Sequence, residues 1–204
     1  MDSQPTLPPQ LARRATAAVS VAAACSGSAA LAYEICWSRA LVVPLGNSTD
    51  SVAVVLGGFM LGMALGARLG GGVAERVASP LRIYALLEVL LAFSGLLVPR
   101  VLSELSEIPA ALPWLPAIPV GVAARYAAAL LVIALPCLAM GASLPLLARE
   151  LTRGRAPLRL KISIVYGANT AGAALGAVGA GFWSIAQLGL SASALPALCY
   201  WGTL

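Results

Sequence analysis

Histidine is absent from this 204-residue chain, and with it the commonest general base and metal ligand. Charge is scarce too. Asp, Glu, Lys and Arg together make up 10% of the residues, where a soluble domain carries roughly 25%. The four cysteines, Cys25, Cys36, Cys137 and Cys199, all fall in or beside apolar runs. No two of them have the spacing of a metal knuckle, so they read as small helix-packing residues and no metal site is expected. The glycine-rich segments lie inside apolar runs, with no strand before them and no acidic residue at ribose-binding distance after them, which excludes a dinucleotide-binding loop. No cofactor is therefore expected. A net charge of +5 raises nucleic acid as a partner. The arginines, however, sit in short turns between apolar runs without interleaved aromatics, as orientation signals do, and nucleic acid is excluded.

What the chain has in abundance is apolar sequence. Hydrophobic residues make up 60% of it and the mean hydropathy is +0.90. Several runs are long enough to cross a bilayer, which makes this an all-α polytopic membrane protein whose principal partner is lipid. Multiple spans also argue against a cleaved secretory signal as the explanation of the first run.

The stretch from Gly57 to Arg82 organises the rest. Gly58, Gly62, Gly66 and Gly70 fall four residues apart and line one face of a helix, where a second backbone can approach closely. Around it the spacing predicts six transmembrane helices. Residues 1–14 form a cytoplasmic N-terminal tail, and 15–204 form the membrane domain. The first span starts at about Ala15 and extends toward Val43, carrying Glu34 and Arg39 near its far end. Gly46 to Asp50 is turn-forming. The second span runs from Ser51 to about Ala67, and the third from Leu81 to Val98, closed by Pro99 and Arg100. A proline-rich outer loop occupies about 99–125, with Trp114 in it. The fourth span covers Tyr126 to about Leu147 and is kinked at Pro136 and Pro145. A basic cytoplasmic loop at about 148–161 leads to the fifth span, Ile162 to about Ile185, where Ala168, Gly172, Gly176 and Ala180 repeat the four-residue spacing. The sixth starts near Leu188 and meets Leu204 with no charged stop after it, so the chain reads as cut rather than finished.

The loops set an orientation. Arg13 and Arg14, then Arg68, Arg76 and Arg82, then the basic loop fall on one side, and only Arg39, Arg100 and Arg125 on the other. That bias puts both termini in the cytoplasm. The two small-residue faces occupy the second helix of each group of three, the pattern of a 3+3 inverted repeat.

Six motifs then carry a resemblance. They are Tyr33-Glu34-x-x-Trp37-x-Arg39; Leu45-Gly46-Asn47-Ser48; Phe59-Met60-x-Gly62-x-Ala64-x-Gly66; Pro80-Leu81-Arg82-x-Tyr84-Ala85-x-x-Glu88; Pro136-x-x-x-Met140-Gly141-Ala142-x-x-Pro145-Leu146-Leu147; and Tyr166-Gly167-Ala168-Asn169-Thr170-x-Gly172-Ala173-x-x-Gly176-Ala177. In that order, from Ser26 to Leu190, they resemble the membrane domain of bacterial spermidine-synthase-like proteins. The resemblance implies a bacterial inner-membrane location and a fold similar to half of a major facilitator transporter. It also implies a cytoplasmic aminopropyltransferase-like domain or subunit as partner. None of that enzyme's catalytic residues is present here, and with Asp2 and Asp50 the only aspartates, no aspartate pair can hold a polyamine.

The polar residues inside the spans are the candidate site: Glu34, Arg39, Glu88 and Asn169. An intramembrane charge needs a partner or water. Glu34 and Arg39 pair to lock the first helix to a neighbour, or line a cavity for a cationic substrate. Glu88 is an acid facing a cavity, or a partner of Arg68 or Arg76. Asn169 and Tyr166 hydrogen-bond across helices. Gly58, Gly62, Gly66, Gly70, Gly172 and Gly176 are packing positions that also offer docking faces for a homo- or hetero-oligomer. Trp37, Trp114, Trp183 and Trp201 are expected at the membrane interfaces.

Overall fold

The structure, a computed structural model, describes residues 9–46, 49–105, 120–151 and 158–187. These residues are all-helical. The helices are α1 (Pro9–Ala40), the single-turn α2 (Val42–Leu45), α3 (Thr49–Arg76), α4 (Pro80–Glu104), α5 (Val120–Leu151) and α6 (Leu158–Val178), which continues into a π-helical turn at Gly179–Ser184. Five segments are long and apolar enough to cross a membrane: Arg13–Ala40, Val52–Arg76, Pro80–Glu104, Gly121–Leu151 and Arg159–Gln187. The described residues thus hold five spans where six are expected. The expected sixth, from Leu188, lies outside them.

Several boundaries differ from the sequence expectation. The first helix begins at Pro9, inside the expected tail, because proline suits a first helical turn that has no donor to lose. Pro99 does not close the third span, since α4 continues through it to Glu104. Its missing N–H leaves the carbonyl of Gly95 without its intrahelical donor. Gly46 has φ +80° and donates its N–H to the Val42 carbonyl at 2.9 Å, ending α2 in a conformation that suits glycine.

The close contacts fix the helix directions. A Cβ built on Gly62 would stand 2.6 Å from the carbonyl oxygen of Ala134, and one on Gly70 would stand 2.6 Å from Cα of Ala142. Gly58 faces Leu130, and Gly66 faces the backbone of Leu138. Both partners advance together by four residues, so α3 and α5 run parallel. In return, Gly141 of α5 receives the Met63 backbone. The α1–α6 pair is built the same way, with Gly172 against the Ala24 backbone and Gly176 against that of Ser28. A third parallel pair joins α1 to α4, through Ala22 with Tyr84, Ser26 with Glu88, and Tyr33 with Gly95. First, third and fifth spans therefore share one direction, and second and fourth share one too, as a chain woven through a bilayer requires.

The core forms where these seams converge. Tyr33, Cys36, Trp37, Phe59, Leu91, Ile133, Cys137 and Met140 belong to one buried cluster. Tyr84, Leu146, Leu147 and Val165 belong to a second. The outer surface carries Phe93, Leu131, Leu135, Leu175 and Phe182, which suits a lipid environment where large apolar side chains are solvated rather than excluded.

Candidate functional site

Two helices, α1 and α4, contribute to a line of polar and aromatic side chains in the middle of the bundle. At its centre is Glu88, 2% exposed on α4. Its Oε1 accepts a hydrogen bond from Ser26 Oγ of α1 at 2.9 Å, and its Oε2 has no hydrogen-bond partner. One turn before it, the Tyr84 hydroxyl donates to the Ala22 carbonyl at 3.4 Å, long for an O–H···O bond. It also interacts with the Glu88 carboxyl. Further along α1, Tyr33 and Trp37 stack with ring centroids 5.5 Å apart and planes 6° apart. Gly95 makes room for this, since a Cβ there would stand 2.5 Å from the Tyr33 ring. The Tyr33 hydroxyl and the Trp37 indole nitrogen are both buried without hydrogen-bond partners. An unsatisfied buried donor or acceptor costs about 1–3 kcal/mol, so three along one seam mark a place where packing has been compromised.

The expected site residues separate in this structure. Glu88 is a buried acid, but neither Arg68 nor Arg76 pairs with it, and both are exposed. Glu34, half-buried, faces Cys137 of α5. Arg39 is exposed, and among the described residues no ion pair links it to Glu34. The two are five residues apart on one helix, a spacing that turns their side chains away from each other. Asn169 lies against α1, its Oδ1 2.9 Å from where a Gly27 Cβ would stand. Among the described residues it makes no hydrogen bond to another helix, and Tyr166 is largely exposed. Trp37 is not an interfacial anchor: it is 1% exposed inside the core. Trp183 is exposed, while Trp114 and Trp201 lie outside the described residues.

Sequence reasoning missed Ser26, Tyr33 and Gly95 as parts of this seam. It also missed Lys161, which is buried and donates from Nζ to the Leu151 carbonyl at 3.2 Å, so that it ties the start of α6 to the end of α5. The available signal was the constant spacing of Ser26, Tyr33, Glu88 and Gly95: seven residues separate the members of each pair, on both helices. Away from the polar line, a cavity of about 300 Å³ opens between α3, α5 and α6. It is lined by apolar groups, among them Met63, Gly141, Leu144, Pro145 and Val165, and it shares no residue with the polar line. Among the described residues no cluster of His, Cys, Asp or Glu has the makings of a metal site.

No family model, curated protein or solved structure matches the chain.

Proposed function

We propose that this chain is the membrane domain of a spermidine-synthase-like protein of the bacterial inner membrane, anchoring or feeding a cytoplasmic aminopropyltransferase-like domain or subunit. The observation that carries this reading is that the motifs behind the resemblance supply the interhelical contacts. Tyr33 and Trp37 form the core stack, and Tyr84 and Glu88 face α1. Gly62 and Gly66 seat α3 on α5, and Gly172 and Gly176 seat α6 on α1. Motifs used for packing define a fold, and here they favour the role of a scaffold.

The same reading makes the domain six helices in a 3+3 inverted repeat. Its support is a recurrence in the seams. A shift of 110 residues carries Gly62 to Gly172 and Gly66 to Gly176, and it carries Ala24 to Ala134 and Ser28 to Leu138. Each glycine thus keeps the same partner in both halves, on helices of opposite direction. Applied to the Ala22–Tyr84 contact, the shift pairs Val132 with Ala194. In a cysteine-free background, Val132→Cys with Ala194→Cys should be joined by a short thiol-to-thiol crosslinker, while Leu131→Cys with Ala194→Cys should not. Equal yields from the two pairs would sink the repeat. The arginine bias favours cytoplasmic termini.

The anchor reading is tested in the native cell. Either the polypeptide's intact mass exceeds that of these 204 residues by a soluble domain, or an aminopropyltransferase-like subunit co-purifies with it. Finding neither overturns the reading. A second reading, half of a facilitator-type carrier for a cationic or amphipathic small molecule, is favoured by the unpartnered Glu88 Oε2 inside the bundle. It expects labelled polyamine uptake into vesicles that falls in Glu88→Gln. No uptake by the unaltered protein, or uptake unchanged in the variant, excludes it.

A further inference from the structure

Glu88 lies eight residues into α4, about 12 Å along the helix, deep enough to be within the hydrocarbon layer. Its surroundings are specific. Ser26 donates to one carboxyl oxygen at 2.9 Å and the other oxygen has no partner. The titratable groups facing this place are Cys25 and Tyr33 from α1 and Tyr84 from α4 itself. Cys137 of α5 faces Glu34 instead. Among the described residues, no Lys or Arg from α1, α4 or α5 reaches the carboxyl. A carboxylate charge buried without a cation costs several kcal/mol, and a single bound proton removes that charge. The described cavity, between α3, α5 and α6, shares no residue with this place.

We propose that Glu88 is a reversible proton-binding site inside the membrane, with the Tyr84 hydroxyl as the group that changes partner when the proton arrives or leaves. The hydroxyl has one hydrogen and two acceptors within reach, the Ala22 carbonyl at 3.4 Å and the Glu88 carboxyl. With Glu88 ionised, Ser26 and Tyr84 both donate to the carboxylate. When a proton from water binds Oε2, that oxygen becomes a donor. The Tyr84 oxygen then accepts the new O–H, and its own hydrogen turns to the Ala22 carbonyl. No covalent bond is formed or broken other than O–H at Oε2. Every donor is satisfied in both states, and the exchange moves one interhelical hydrogen bond between α4 and α1. Ser26 holds Oε1 throughout, which leaves Oε2 as the oxygen that titrates. Tyr84 is a positioning residue here: it sets the pH of the change without holding the proton.

The inference rests on the membrane placement and the α1–α4 seam, and on neither of the functional readings above. The full-length chain in proteoliposomes is treated with dicyclohexylcarbodiimide, which reacts only with protonated carboxyls in an apolar setting: the acid O–H adds across one N=C bond, and the adduct rearranges to a stable N-acylurea. Mass spectrometry of the Glu88 peptide follows the label from mildly acidic to mildly alkaline pH. The label should be strong at acidic pH and fall by about tenfold per pH unit above its midpoint. Tyr84→Phe should keep the label and move that midpoint. An unlabelled Glu88 at every pH, a label independent of pH, or a midpoint unmoved in Tyr84→Phe would each overturn the proposal. Infrared spectroscopy of the unaltered protein gives a second readout that needs no variant to fold. A buried carboxylic-acid C=O band should vanish as pH rises, and its absence at acidic pH would likewise count against the site.

Discussion

Along the α3–α5 seam, Gly58, Gly62, Gly66 and Gly70 omit their side chains so that two backbones meet. Along the α1–α4 seam, Ser26, Tyr33, Tyr84 and Glu88 fill the gap with polar and aromatic groups, and only Gly95 yields space. Both seams join parallel helices inside one bundle. The first is uniform, each glycine set against backbone of the facing helix. The second is uneven, and it holds the unpartnered Oε2 of Glu88, the Tyr33 hydroxyl and the Trp37 indole. In lipid, helices are held together by close packing and a few polar contacts rather than by apolar burial. One seam relies almost wholly on the first of these, and the other spends part of its packing on the second.

The largest effect should come from breaking the glycine seam. A side chain on Gly66 would enter the Leu138 backbone, where the obstructing atoms belong to a helix axis and cannot rotate away. Gly66→Leu should destabilise the protein by at least the roughly 1–3 kcal/mol typical of overpacking, read as a lower melting temperature in mild detergent. Gly57→Leu is the control on the same helix, since nothing lies within 4 Å of a Cβ there, and it should leave the melting temperature unchanged. If both variants melt alike, the seam does not hold α3 to α5.

The polar seam should respond next. Ser26→Ala removes the Ser26 donor from Glu88 Oε1, a loss at a buried carboxyl oxygen that costs about 1–3 kcal/mol. Glu88→Gln keeps an acceptor for Ser26 and should cost less than Ser26→Ala in the same thermal melt. The reverse order would mean that the Ser26 bond is not what holds Glu88. Gly95→Ala should be milder again. Its Cβ meets the Tyr33 ring at 2.5 Å, and a ring on a flexible side chain can turn aside. The expected change is in the Tyr33–Trp37 stack, seen as altered fluorescence from Trp37 in a variant whose other tryptophans are replaced by phenylalanine. Unchanged fluorescence would show that the glycine is not needed for the stack.

The contrast between the seams also explains what the sequence reveals. Four-residue glycine spacing in an apolar run has few meanings, so the faces of α3 and α6 can be read directly, and the helices they need follow. Which helix each face meets is not readable, because spacing describes one surface and not its partner. The polar seam is harder still. Ser26, Tyr33 and Gly95 are individually common residues in membrane helices, and they acquire meaning only when α1 and α4 lie side by side in register. Glu88 is visible because any acid inside a span stands out, yet its partner is a serine and not the expected arginine. Trp37 misleads for the same reason. Indole favours interfaces in general, but the Tyr33 ring and the space at Gly95 draw this one into the core.

The smallest expected effect concerns the pair that looks most electrostatic. Glu34 and Arg39 have opposite charges on the same stretch of α1, which invites an ion pair, but their five-residue spacing puts them on different faces. Arg39 points outward and Glu34 turns toward Cys137. Arg39→Gln should therefore shift stability by no more than about 0.5 kcal/mol, as for other surface substitutions away from special features. A double-mutant cycle with Glu34→Gln should give a coupling energy near zero. A clear coupling would mean that the two charges find each other in the bilayer. The first helix would then hold a charged lock of its own, and the polar character of the bundle would extend beyond the α1–α4 seam toward α5.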